Sequence, residues 1–169
     1  MNTAHQNILH RLFLTQISPF EARQLLTDEV IMDNVYLSTC LKEAAESQDI
    51  DRNNSILMLY WLNESRAIFE EEFNLVLKNP YHYQHQKMLK YLQDELKYAS
   101  SVPVIEYLLK QDLPTFFEYT GSDESVIVKW FSHALKGIGA QSAIDLIESL
   151  TASDNTTISN EMKYRLSKV

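Results

Sequence analysis

The tightest constraint on this chain is a pattern that occurs twice near its C-terminal end. Asp123 stands four residues before Ile127, and Asp154 stands four before Ile158. From each Ile an apolar residue follows at the fourth position (Phe131, Met162) and a Leu at the eighth (Leu135, Leu166). Steps of four and eight keep side chains on one face of a helix. Ala134 and Ile138 widen the first stripe, and Gly137 and Gly139 then form a helix-ending signal. Between the two copies Ala143, Ile144, Leu146, Ile147 and Leu150 make a second stripe, and Ser153 and Asp154 supply caps for the third helix.

Three Gly and four Pro in 169 residues leave little material for hairpin turns, so the fold class expected is all-α. Residues 4–16 place Ile8, Leu12 and Phe13 on one face. Ser18-Pro19 reads as an N-cap with proline at the first helical position. Asp28 or Asp33 caps a helix that turns Val35, Leu37, Cys40, Leu41 and Ala44 inward. The polar run 47–55 (SQDIDRNNS) is expected to be a loop, with Asn54 or Ser55 capping an apolar helix after it. Residues 66–78 follow as its partner, with Ile68, Phe69, Phe73, Val76 and Leu77 buried, and Asn79-Pro80 ends that pair. Residues 81–99 read as one long helix, and Pro103 opens its partner. Residues 112–122, with Phe116, Phe117 and Tyr119, are either a one-turn helix or an inserted loop.

This succession of hairpins resembles HEAT and armadillo repeats, best over residues 122–169. The resemblance implies a short α-solenoid of antiparallel helical hairpins, a single HEAT-like domain over 1–169 with an irregular insertion near 112–122. It would end on an unpaired helix whose polar face (Asn160, Lys163, Arg165, Ser167) serves as a cap.

Chemistry-bearing constellations are scarce. The single cysteine, Cys40, excludes an intramolecular disulfide and any thiolate-based structural zinc site, and its spacing is that of a small core residue. His82 and His85 would share a helix face, yet no third ligand stands at matching spacing, so no metal is expected. Gly137-Ile138-Gly139 follows a helix and lacks the rest of a phosphate loop. Trp61 and Trp130 lie on apolar stripes and read as core. No nucleophile, metal or cofactor set emerges, and an enzyme is not expected.

Net charge is −8, from 23 acidic and 15 basic residues. That balance opposes binding to a phosphate backbone and suits a basic protein partner. No apolar run reaches membrane-span length and no signal-peptide block appears, so a reduced, cytoplasmic protein is expected, as a monomer or a 1:1 complex. In a HEAT-like array the second helices (66–78, 102–111, 141–151) line the concave face. The partner-binding residues expected are Glu71, Asn74, Glu106, Lys110, Asp145 and Glu148, joined by Phe117 and Tyr119 of the insertion. In profile, small, acidic and without cofactor, the chain is similar to immunity proteins of bacterial toxin systems, including contact-dependent growth inhibition. That resemblance implies an inhibitor covering a basic toxin domain. A HEAT-like scaffold, with an apolar patch at Phe116, Phe117 and Tyr119, is the alternative; a HEAT-like nucleic-acid enzyme would need a basic face.

Overall fold

The computed structural model describes residues 1–168, and no strand forms among them. Their contacts separate into two compact units, Met1–Gln84 and one that begins at His85.

In the first unit, α1 (Thr3–Phe13), α2 (Pro19–Ile31), α3 (Asn34–Glu46), α4 (Ile50–Leu62) and α5 (Glu70–Leu77) assemble around α4. α4 packs on α1, α2 and α3, and α5 lies against α3. Ser18 and Glu21 form a reciprocal capping box with proline in the first turn of α2, as the sequence predicts. Asp33, not Asp28, caps α3, and Leu37, Cys40, Leu41 and Ala44 are buried. Val35 is not: it is 80% exposed, and Ile68 is exposed as well. Ile68 belongs to a 3-10 turn, Arg66–Ile68, so helical periodicity does not carry from it into α5. α2 is interrupted at Thr27, whose φ of 65° and ψ of 151° lie in a region most side chains avoid.

Of the expected loop at 47–55, only residues 47–49 lie outside a helix; residues 50–55 are the first half of α4. Asp49 caps the helix by accepting from Arg52 N, and Asn53, Asn54 and Ser55 are wholly buried inside it. Polar residues read as solvent-facing because burying an unpaired amide is costly. Here the amide N–H groups are paired, though Asn53 Oδ1 is not: Asn53 Nδ2 donates to Ser47 O at 3.0 Å and to Tyr81 O at 2.9 Å, and Asn54 Oδ1 accepts from Tyr83 N at 3.0 Å.

In the second unit, α9 (Glu124–Ile138) is central. It packs against α6 (His85–Tyr91) and α11 (Thr156–Leu166), and also touches α7 (Val102–Leu109), α8 (Leu113–Phe116) and α10 (Gln141–Leu150). Most of the repeated stripe behaves as read: Ile127, Phe131, Ala134, Leu135, Ile158 and Met162 are buried, while Leu166, its last member, is only half-buried. The insertion is the one-turn α8 followed by a 3-10 turn, Glu118–Thr120. Asn155 caps α11, with its side chain accepting from Thr157 N and Ile158 N; Ser153 and Asp154 do not.

Two local corrections shape this unit. The long helix expected at 81–99 starts only at His85, and its last turn, Leu92–Leu96, is a π turn ended by Lys97 at φ 51°. Gly137 does not stop α9, which runs to Ile138 and ends at the left-handed Gly139 (φ 64°). Gly137 is there for space, since a Cβ on it would come within 2.5 Å of Gln93 Cα and of Gln93 O. Because those atoms are backbone, they cannot swing aside. Gly137→Ala should therefore destabilise the chain by about 2 kcal/mol or more, as overpacking does. Thermal or urea unfolding followed by circular dichroism measures it. Helix propensity alone favours alanine by about 1 kcal/mol, so a stabilised variant would refute the close contact.

Candidate functional site

The residues predicted to form a partner surface meet different fates. Glu71 lies exposed on α5, and Asn74 is half-buried there. On α7, Glu106 and Lys110 are joined by an ion pair of 2.6 Å. On α10, Asp145 accepts from Gln141 Nε2 at 2.8 Å, and Glu148 is exposed. α7 and α10 pack on one another, which makes Glu106, Lys110, Asp145 and Glu148 residues of neighbouring helices in one unit.

Phe117 leaves that surface. It is 1% exposed, and its ring meets those of His85, Trp130 and Phe131 at centroid distances of 5.0, 6.4 and 5.7 Å. Tyr119 is half-buried, with its hydroxyl 2.9 Å from His85 Nδ1, and burial pushes its phenol up. The aromatic insertion is thus largely packing material. Arg165, expected on the polar face of the last helix, is also buried. It donates to Glu161 at 2.7 Å, and Glu161 accepts from Ser132 Oγ at 2.6 Å.

Sequence reasoning placed the acidity on the second helices, whereas most of it lies elsewhere. Met1–Gln84 holds twelve Asp and Glu against six Lys and Arg, a net −6; the remainder of the chain holds eleven against nine, a net −2. Between Arg23 and Arg52 seven acidic residues (28, 29, 33, 43, 46, 49 and 51) face solvent, with Lys42 the single basic residue among them. The same stretch and the start of α2 expose large apolar side chains: Phe20 is 68% exposed, Leu25 53% and Met32 40%, beside Val35. The charge count of this segment was available in the sequence. The outward turn of its apolar residues was not, since Leu25 and Met32 flank the break at Thr27.

The glutamate run resolves unevenly. Glu72 is buried, accepts from Ser38 Oγ at 2.5 Å and pairs with Lys42 at 3.4 Å, while Glu71 remains outside. Burial would raise the Glu72 carboxyl, and the hydrogen bond from Ser38 with the Lys42 charge outweighs it, so the group ends below its usual range.

His82 and His85 do not share a helix face, because His82 precedes α6 in the turn that follows Asn79. His82 is fully buried; its Nε2 donates to Val76 O at 3.0 Å, and its Nδ1 accepts from Gln84 N at 3.1 Å. Asn79 Nδ2 donates to Ala44 O and Ser47 O, and Gln84 Oε1 accepts from Trp61 Nε1 at 2.6 Å. Trp61 and Trp130 are half-buried, not core as read from their stripes.

The second unit also contains a cleft of about 230 Å³ lined by Gln86, Lys90 and Gln93 on one side and Trp130 and His133 on the other. His133 Nδ1 lies 3.5 Å from Arg165 Nη1. Burial first, and the Arg165 charge second, lower its pKa. Among the described residues no helix is long and apolar enough to cross a membrane. No family model, curated protein or solved structure matches the chain.

The His82 turn gives a pH prediction. Burial lowers the imidazole pKa from 6.5 to about 4. The unfolded chain then binds a proton that the folded chain refuses, so stability is full above pH 6.5 and falls as pH drops from 6.5 toward 4, by about 3 kcal/mol. Protonation at Nδ1 would also set an N–H against the Gln84 amide that it now accepts. Urea titrations across that window should show the loss in the native chain and a smaller one in His82→Gln; equal slopes would exclude His82 as the source.

Proposed function

We propose that this chain works by binding, as an acidic protein that takes a basic protein partner, and that it is an immunity protein covering a basic, nuclease-type toxin domain in a 1:1 complex. The observation that carries this reading is the segment between Arg23 and Arg52, which exposes seven carboxylates and the apolar side chains of Leu25, Met32 and Val35. A segment that exposes apolar anchors together with charge of one sign suits a protein surface of the opposite sign: burying the anchors contributes affinity, and the charge steers encounter. Glu71, Asp145 and Glu148 add exposed acid elsewhere. Inhibition would be steric and electrostatic, with carboxylates standing where a nuclease takes phosphates.

The array reading belongs to the same proposal. In favour of a short HEAT-like array in the second unit, α6 and α11 flank α9 as one layer while α7 and α10 pack together as another. Phe20, Leu25 and Val35 also favour a second reading, a scaffold docked through apolar contacts, which would bind without dependence on salt.

The test is to produce the chain together with the product of an adjacent toxin-like reading frame. Protection of the cells and a stable complex are expected. The triple variant Asp28→Lys, Glu29→Lys, Asp33→Lys should slow association by roughly tenfold or more at low salt, with the gap closing as salt rises. Binding that ignores both the substitutions and the salt would favour the scaffold, and absence of protection and binding would end the immunity reading.

A further inference from the structure

The cleft beside α9 has a built character that the partner-binding reading does not use. Two helix faces confront one another across it. Trp130 and His133 are three apart on α9; Gln86, Lys90 and Gln93 follow at steps of four and three along α6 and the π turn. The close approach of Gly137 to Gln93 pins those elements together at one end. π turns are uncommon and concentrate at functional sites, and this one carries a lining residue, Gln93. Trp130 makes an edge-on contact with the buried Phe117 at 6.4 Å, which ties the indole to the core of the unit.

The chemistry of the lining is selective. In a chain with 23 acidic residues, none of the five lining residues is acidic. Lys90 brings an ammonium. The guanidinium of Arg165 can only donate, so at 3.5 Å from Nδ1 it leaves His133 with its proton on Nε2, a second donor. The two glutamines add amide N–H groups. Lys90 is held by Asp94 at 2.7 Å, yet its side chain is mostly exposed, so the ammonium can exchange one carboxylate for another. At about 230 Å³ the space is below the ~300–1,000 Å³ of pockets for drug-sized ligands, which limits the occupant to one or two rings.

We propose that this cleft binds a small aromatic carboxylate, its ring against Trp130 and its carboxylate toward Lys90 and His133. None of its five lining residues belongs to the exposed segment between Arg23 and Arg52.

The full chain is titrated with indole-3-carboxylate, neutral indole and cationic tryptamine while amide NMR spectra are recorded. Saturable shifts at Gln93, Gly137 and the Trp130 indole N–H are expected with the carboxylate. It should bind about tenfold tighter than indole, the size of one charge-assisted hydrogen bond, and tryptamine should bind weakest. Lys90→Gln alters an exposed side chain, so its unfolding curve should match that of the native chain while the preference for carboxylate over indole is lost. Equal or tighter binding of tryptamine would overturn the proposal. So would a preference surviving Lys90→Gln, shifts confined to Trp61, or no saturation by any of the three.

Discussion

Buried asparagine amides decide how the first unit closes. A helix leaves its last carbonyls without intrahelical donors, and a unit built from short helices has many such ends to satisfy. Asn63 Nδ2 donates to Ile31 O at the end of α2 and to Asn34 Oδ1 at the start of α3. Asn79 does the same for Ala44 and Ser47 at the end of α3, and Asn53 joins Ser47 to Tyr81. Each amide therefore replaces water at two chain segments at once, which lets the apolar stripes of α1, α3 and α5 close around them. In the second unit the corresponding constraint is the lack of a side chain at Gly137.

How much of this could be read from the residues follows from the kind of force involved. Hydrophobic periodicity is local, so Ile127, Phe131, Leu135, Ile158 and Met162 were placed correctly, as was the Ser18 cap, while Asp33 was one of two candidates for the cap of α3. The helical start of α4 at 50–55 was missed because its polarity is offset by partners about thirty residues away, Tyr81 and Tyr83, which no window of sequence contains. The break at His85 is of the same kind, since the turn before it is held by Asn54 and Trp61. Gly137 was visible as a glycine, yet its role depends on Gln93 in another helix.

The candidate surfaces divide along the same line. Charge is a count, so the acidity of the chain was plain; its concentration before Arg52 needed only a finer count. Which carboxylates remain available needed coordinates, because Glu72, Glu161 and Glu106 are engaged by Ser38, Arg165 and Lys110. The cleft gave no signal at all. Gln86, Lys90 and Gln93 form an ordinary polar helix face until α9 stands opposite.

The Asn79–Gln84 turn also sets an order of events during synthesis. It is the last part of the first unit to leave the ribosome, yet it supplies the carbonyl of Tyr81 to Asn53 and the amide of Tyr83 to Asn54, both in α4. Until those residues emerge, Asn53 Nδ2 has only Ser47 O and Asn54 Oδ1 lacks the Tyr83 amide, so burial of α4 against α1 and α3 is resisted. Closure of the unit thus waits on residues that contribute no apolar stripe, and folding of the nascent chain should complete as one late step, not helix by helix.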